Sequence, residues 1–145
     1  MDHTRHIGIF NAKHFSATVI GLGGIGALTA LTLAKMGIGR LILYDGDKLE
    51  DVNLPVQFHR LSDVGKPKAI SVHQLIDIFA DDLIVEHHNV PISAGTVLEP
   101  THLVVSAVDS IQSRKLIWDT VRICRPDWYV DARMSAEYFQ MYVVS

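Results

Sequence analysis

Between residues 21 and 26 the sequence runs Gly21-Leu22-Gly23-Gly24-Ile25-Gly26, directly after the short apolar run Ala17-Thr18-Val19-Ile20. Glycines at such a point let backbone pass close to a phosphate. A helix beginning there offers unpaired N–H groups and the positive end of its dipole to an anion. The G-x-G-x-x-G spacing alone is a weak signal, and it gains weight between a strand and a helix with an acid downstream. Asp45 supplies that acid at the end of a second apolar run, where a carboxylate accepts the hydrogens of both ribose hydroxyls. Asp47 follows it, and more than one acid suits Mg2+ with a triphosphate better than a ribose alone. Glu50 and Asp51 read as solvated charge. Asp109, and Asp131 with Arg133, each follow a later apolar run.

These residues need a scaffold that gathers them. Residues 17–20 read as a buried strand, and Leu28, Leu31, Thr32, Lys35 and Met36 follow helical spacing up to a stop at Gly37. Arg40-Leu41-Ile42-Leu43-Tyr44 reads as a second strand, which completes a βαβ unit with parallel strands. Residues 45–64 read as a long loop containing Pro55, of a length that in compact domains usually carries function. A helix is expected over residues 66–79, with Pro67 in its first turn, and another over residues 111–124. Further strands are expected at 83–85, 103–105, 128–130 and 139–144. The alternation predicts an α/β fold of Rossmann-like type, a doubly wound, mostly parallel sheet with helices on both faces. Ligands of such sheets sit beyond the carboxyl ends of the strands, so all the acids above fall on one rim.

The 145 residues, 48% apolar and 20% charged, suit a single nucleotide-binding domain over 1–145. The chain stops in or just after a strand, so a short protein and a fragment of a longer one both remain open. A net charge of −3 without a basic run gives no reason to expect nucleic acid. Residues 17–34 carry no charge over a membrane-spanning length, but four glycines within six residues favour a turn over a spanning helix. No membrane association is expected. The single Cys124 excludes an internal disulfide and fits a reducing, cytoplasmic setting. On its amphipathic helix Cys124 reads as a small buried hydrophobe rather than a nucleophile. The histidines, His59 and the pair His87-His88 included, have no zinc-site spacing.

Taken together, Gly21 to Ala27, Gly37 to Asp47, Asn53-Leu54, Gln57 and Val64-Gly-Lys-Pro-Lys-Ala69 closely resemble the ThiF/MoeB/HesA family, the adenylation domain of ubiquitin-activating enzymes and their bacterial relatives. The resemblance runs from about Arg5 to the end of the chain. It implies binding of ATP and Mg2+ and adenylation of a carboxylate, usually the C-terminal glycine of a ubiquitin-like or sulfur-carrier protein. It also implies residue roles. Asp45 holds the ribose, Asp47 stands near the phosphates, Asn53 and Gln57 lie beside the triphosphate, and Lys68 neutralises phosphate charge. Asp109 matches the family's magnesium-linked aspartate. Arg5 resembles an N-terminal arginine that reaches a partner's ATP, which implies a homodimer or heterodimer.

One position departs from the pattern. The family's Asn-Leu-x-Arg-Gln appears as Asn53-Leu54-Pro55-Val56-Gln57, with valine in place of a phosphate-contacting arginine. Arg60, four residues on, is the nearest substitute. Three functions follow in order of expectation: adenylation, a catalytically weak or inactive partner subunit, and an NAD-dependent oxidoreductase. The last shares the glycines and Asp45 but leaves Asp47, Asn53, Gln57, Lys68 and Asp109 unexplained.

Overall fold

In the computed structural model, residues 2, 9, 11–135 and 137–145 are described. Arg5 lies outside them. The chain forms β1 (Ser16–Ile20), α1 (Gly24–Lys35), β2 (Arg40–Tyr44), α2 (Lys68–Phe79), β3 (Ile84–His88), β4 (Leu103–Ser106), α3 (Ile111–Cys124), β5 (Trp128–Ser135) and β6 (Tyr138–Val144). The sheet order is β3-β2-β1-β4-β5-β6, parallel throughout except for the antiparallel β5–β6 pair. This is the expected doubly wound sheet, and its order reverses between β1 and β4.

Residue chemistry explains the layers. β1 and β2 are buried from their second residue onward, as strands covered on both faces must be. On one face α1 and α2 pack against Val19, Leu41, Leu43 and Val105. On the other, Ile117 and Val121 of α3, with Ile92 and Leu98 from the connection before β4, cover Ile42, Tyr44, Val104 and Tyr129. β3 is an edge strand and mostly half-buried, and β6 is exposed along its whole length. No helix among the described residues is long and apolar enough to cross a membrane.

Several boundaries differ from expectation for local reasons. α1 begins at Gly24, four residues before the first helical apolar position, because the glycines themselves form its first turn. Pro67 caps α2 from outside the helix instead of lying in its first turn. β5 continues to Ser135 because β6 folds back on it as a hairpin. The long loop is ordered: Lys48 pairs with Pro67, and short 3-10 turns form at Asp51–Asn53 and Leu61–Asp63.

Candidate functional site

The register levels the strand ends. Ile20 pairs with Tyr44 and with Ser106, and Ser106 pairs with Asp131. The residues that follow, Gly21, Asp45 and Ala107, therefore emerge side by side at the point where the sheet order reverses. They open onto a cleft of about 390 Å3 lined by Gly21, Gly23, Gly24, Asp45, Asp47, Gln57, Lys68, Asp109 and Arg114, with Tyr44, Val90, Pro91 and Ile92 on an apolar side.

The glycine loop is built by close approach. Gly21 turns with φ +87°, and a Cβ there would lie 2.8 Å from the Ala107 carbonyl oxygen. A Cβ on Gly26 would sit 1.7 Å from the Gly21 carbonyl oxygen, so α1 can only seat against the strand end with glycine at this position. No side chain caps α1 at Gly23. Its first-turn N–H groups lack intrahelical partners, and Gly23, Gly24 and Ile25 face the cleft.

Asp45 braces this loop. Its Oδ2 accepts the Leu22 N–H at 2.7 Å and its Oδ1 accepts the Asp47 N–H at 2.8 Å. Burial pushes its carboxyl above the usual carboxylate range, against the opposing pull of those two donors and of Lys68. Each oxygen keeps a further lone pair for a ligand hydroxyl. Lys68 stands in the first turn of α2, where its N–H donates to the Asp47 carbonyl at 2.9 Å. Its side chain is only 10% exposed and donates to Asp47 Oδ2 at 3.1 Å, while Asp47 itself is 74% exposed. The ammonium is thus held at the cleft wall by a partner that remains in water.

Gln57 lines the cleft next to Gly23, and its buried Oε1 has no hydrogen-bond partner among the described residues. Asn53 does something different. Its Oδ1 accepts the Glu50 N–H at 2.9 Å, and its carbonyl accepts the N–H of Gln57 at 2.9 Å. Asn53 shapes the turn that presents Gln57 and is not itself among the residues lining the cleft. Asp109 is exposed at the mouth. Val56 is 72% exposed and lies in an apolar groove with Ile25, Leu28, Leu33 and Met134. Arg60 does not reach the cleft. Its Nε donates to Asp63 Oδ2 at 2.7 Å and its Nη2 to Gln74 Oε1 at 3.0 Å. A buried carboxylate three residues away outcompetes the solvent-facing cleft for that guanidinium.

Two contributors went unread in the sequence. Arg114, buried on α3, donates to the carboxylate of Asp131, to the Ala132 carbonyl at 3.1 Å, and to the Val108 carbonyl. It ties the loop carrying Asp109 to the middle of β5. Asp131 also accepts from Arg133 at 2.6 Å, so Arg133 pairs structurally beside the cleft. His59 is the second. One ring nitrogen, Nε2, lies 3.0 Å from the Leu22 carbonyl oxygen, and Nδ1 lies 3.0 Å from Ser71 Oγ. Ser71 Oγ also lies 3.1 Å from Asp63 Oδ2, so its one hydrogen serves either that carboxylate or His59 Nδ1. Burial opposes the charge on Asp63, yet hydrogen bonds from Arg60, Lys66 and Ser71 prevail and hold its carboxyl at about 2. A strand-end acid followed by an arginine one turn into the next helix was the available signal for Arg114; His59 had no local one.

Outside the cleft, Cys124 is half-buried against the second core cluster, and burial pushes its thiol up. His73 and His87 meet through their Nδ1 atoms at 2.7 Å, and His88 stacks on Tyr44 at 4.3 Å. No group of three or more metal-ligating side chains forms among the described residues.

Comparison with known proteins agrees with this fold. Ubiquitin-like modifier-activating enzyme 5 of Dictyostelium discoideum is 31% identical over 122 residues, covering 74% of this chain and 32% of that protein. Adenylyltransferase and sulfurtransferase MOCS3 of Anopheles gambiae is 34% identical over 122 residues, covering 81% of this chain and 28% of that protein. This chain thus spans about three tenths of the length of these relatives. The crystal structure of E. coli MccB with succinimide shares the fold, with a TM-score of 0.82 and 23% identity over 90% of this chain and 40% of that one. An E. coli MccB structure solved with ATP aligns with a TM-score of 0.74 and 22% identity over 84% of this chain and 37% of that one. Residues 6–126 match the ThiF family, and the chain belongs to that family.

Proposed function

We propose that this domain binds ATP with Mg2+ and converts a carboxylate into its acyl-adenylate. The observation that carries the reading is the cleft lined together by an uncapped helix N-terminus, Lys68, Asp45, Asp47 and Asp109. The N–H groups of the glycine loop suit phosphate oxygens, Asp45 suits the ribose hydroxyls, and the apolar side at Val90, Pro91 and Ile92 suits a base. A carboxylate oxygen attacks the α-phosphorus, the bond from that phosphorus to the bridging oxygen breaks, and pyrophosphate leaves with the electron pair. The nucleophile is ionised at neutral pH, so no general base is required. The protein's part is to align two anions and neutralise their charge, with Lys68 as the cation for the phosphates.

The donor set fits Mg2+ brought with the triphosphate. Such an ion needs only one or two protein carboxylates, and the cleft offers Asp47 and Asp109. Asp109 and Asp47, which both line the cleft, would hold it, and the unpartnered Gln57 Oε1 would accept a hydrogen from a water on that ion. Bound there, Mg2+ supplies positive charge to the departing pyrophosphate.

The acceptor we propose is the C-terminal glycine of a ubiquitin-like or sulfur-carrier protein, in keeping with what the two relatives are named for. We also propose a homodimer or heterodimer, with the apolar groove around Leu28 and Val56 covered by the partner and Arg5 reaching the partner's phosphates. One observation favours a second reading. Val56 replaces a cationic clamp, and Arg60 is occupied elsewhere, so the second reading is a domain that acts as the catalytically weak half of a heterodimer. ATP–pyrophosphate exchange stimulated by an added carrier protein tests the first reading. ATP–Mg2+ binding without exchange selects the second, and binding of NAD in place of ATP refutes both.

A further inference from the structure

Leu22 is gripped through both of its backbone polar groups. Its N–H donates to Asp45 Oδ2 at 2.7 Å, and its carbonyl oxygen lies 3.0 Å from His59 Nε2. A trans peptide is planar, with C=O and the following N–H pointing to opposite sides. Fixing the Leu22 carbonyl toward His59 therefore fixes the Gly23 N–H in the opposite direction, and Gly23 lines the cleft. We propose that His59 is a positioning residue: it holds the Leu22 carbonyl so that the glycine loop presents its N–H groups to the phosphates of the bound nucleotide. The inference rests on the nucleotide-binding reading above only for its consequence, not for its geometry.

The proton inventory gives the device a testable property. A carbonyl oxygen only accepts, so Nε2 must carry a hydrogen. In the neutral ring Nδ1 then accepts from the Ser71 hydroxyl, and Asp63 keeps its bonds from Arg60 and Lys66. In the charged ring Nδ1–H donates to Ser71 Oγ, whose own hydrogen turns to Asp63 Oδ2 at 3.1 Å. Ser71 switches its hydrogen while the Nε2–H···O=C bond persists in both states. The charged groups facing His59 are Asp45 beside the glycine loop, Asp63 behind Ser71, and Lys68 on α2. The grip on Leu22 is therefore independent of the protonation state of the ring.

The test compares His59→Gln, whose amide nitrogen can stand where Nε2 stands, with His59→Asn, which is too short to reach Leu22. Amide exchange at residues 22–25 is measured in the nucleotide-free protein, and ATP–Mg2+ affinity by titration at pH 5.5, 6.5 and 7.5. The expected result is faster loop exchange in His59→Asn, at least tenfold weaker ATP binding with a raised KM at unchanged kcat, and near-complete rescue by His59→Gln. The ratio of wild-type to His59→Asn affinity should stay constant across the three pH values. Equal behaviour of the two variants in loop exchange, or a ratio that collapses as pH crosses the histidine range, overturns the proposal. If the wild-type protein binds no ATP, the nucleotide reading fails, and the exchange comparison still decides the positioning role.

Discussion

Replacing Gly26 with alanine sets two calculable effects against each other. Gly26 is the third residue of α1, and alanine in a helix is favoured over glycine by about 1 kcal/mol. Propensity alone therefore predicts a more stable protein. The added Cβ, however, would stand 1.7 Å from the Gly21 carbonyl oxygen, about half of an ordinary contact distance. The obstacle is backbone and cannot swing aside, because Gly21 N–H is bonded to the Tyr44 carbonyl at 2.9 Å and Leu22 N–H to Asp45 at 2.7 Å. Opening the turn by roughly 1.7 Å forfeits the charge-assisted Leu22–Asp45 bond, at about 1.5–3 kcal/mol, and adds overpacking of about 1–3 kcal/mol. The clash wins, leaving a net loss of about 1.5–5 kcal/mol, or roughly 5–16 °C in Tm for a domain of this size. Gly23→Ala is the matched control. Gly23 has a negative φ, and a Cβ there would meet only Gln57 atoms at 3.7 and 3.8 Å. It should melt like the wild type yet bind ATP–Mg2+ more weakly, because its new methyl enters the phosphate end of the cleft. Thermal denaturation and calorimetric titration of the three proteins give the answer. A Gly26→Ala protein that melts at or above the wild-type temperature refutes the reasoning.

Lys68→Met keeps the buried stem and removes the charge; loss of one charge-assisted contact should weaken ATP–Mg2+ binding about 10- to 100-fold, with Tm little changed because Asp47 is solvated. Unaltered affinity would remove Lys68 from the phosphate site. Val56→Arg places a cation at an exposed position, so stability should move by no more than about 0.5 kcal/mol, and carrier-dependent pyrophosphate exchange should rise at least tenfold. No rise would mean that another cation already serves. Asp63, held at about 2 against an ordinary 3.8, binds fewer protons folded than unfolded, so its stabilisation is present above pH 3.8 and is lost as pH falls toward 2. Urea midpoints between pH 5 and 2 should show that decline, and Asp63→Asn, less stable by about 2 kcal/mol at neutral pH, should flatten it. A wild-type midpoint unchanged over that range would contradict the assignment.

What was legible in the sequence is what short-range physics determines. The glycine loop and Asp45 announced themselves because a strand, a tight turn and a helix are neighbours along the chain, and the levelled strand ends follow from parallel pairing. Lys68 was carried by family resemblance and stands in the cleft wall, whereas Asn53, carried in the same way, spends its side-chain oxygen on the turn before it. Arg60 misled because sequence proximity to Val56 was weighed without its nearer partner, Asp63, three residues on. His59 and Arg114 stayed hidden because their partners Leu22 and Asp131 lie 37 and 17 residues away, and only packing of the loop against the glycine turn and of α3 against β5 joins them. β5 was read too short because its last residues pair with β6, a contact that the local pattern does not encode.

Asp45 has a thermodynamic consequence beyond holding the loop. Burial raises its carboxyl above the ordinary 3.8, so the folded chain binds a proton there more readily than the unfolded chain does. Stability from this group is highest at low pH and is lost as pH rises through the window from 3.8 to the raised value, so the ionised acid opposes folding at neutral pH. An under-solvated carboxylate is also a strong acceptor, and a ligand hydroxyl seated against it replaces the water that folding removed. Part of the affinity for such a ligand is therefore prepaid in the ligand-free fold. The same carboxylate thus weakens the fold at neutral pH through its burial while its two N–H partners hold the glycine turn in place.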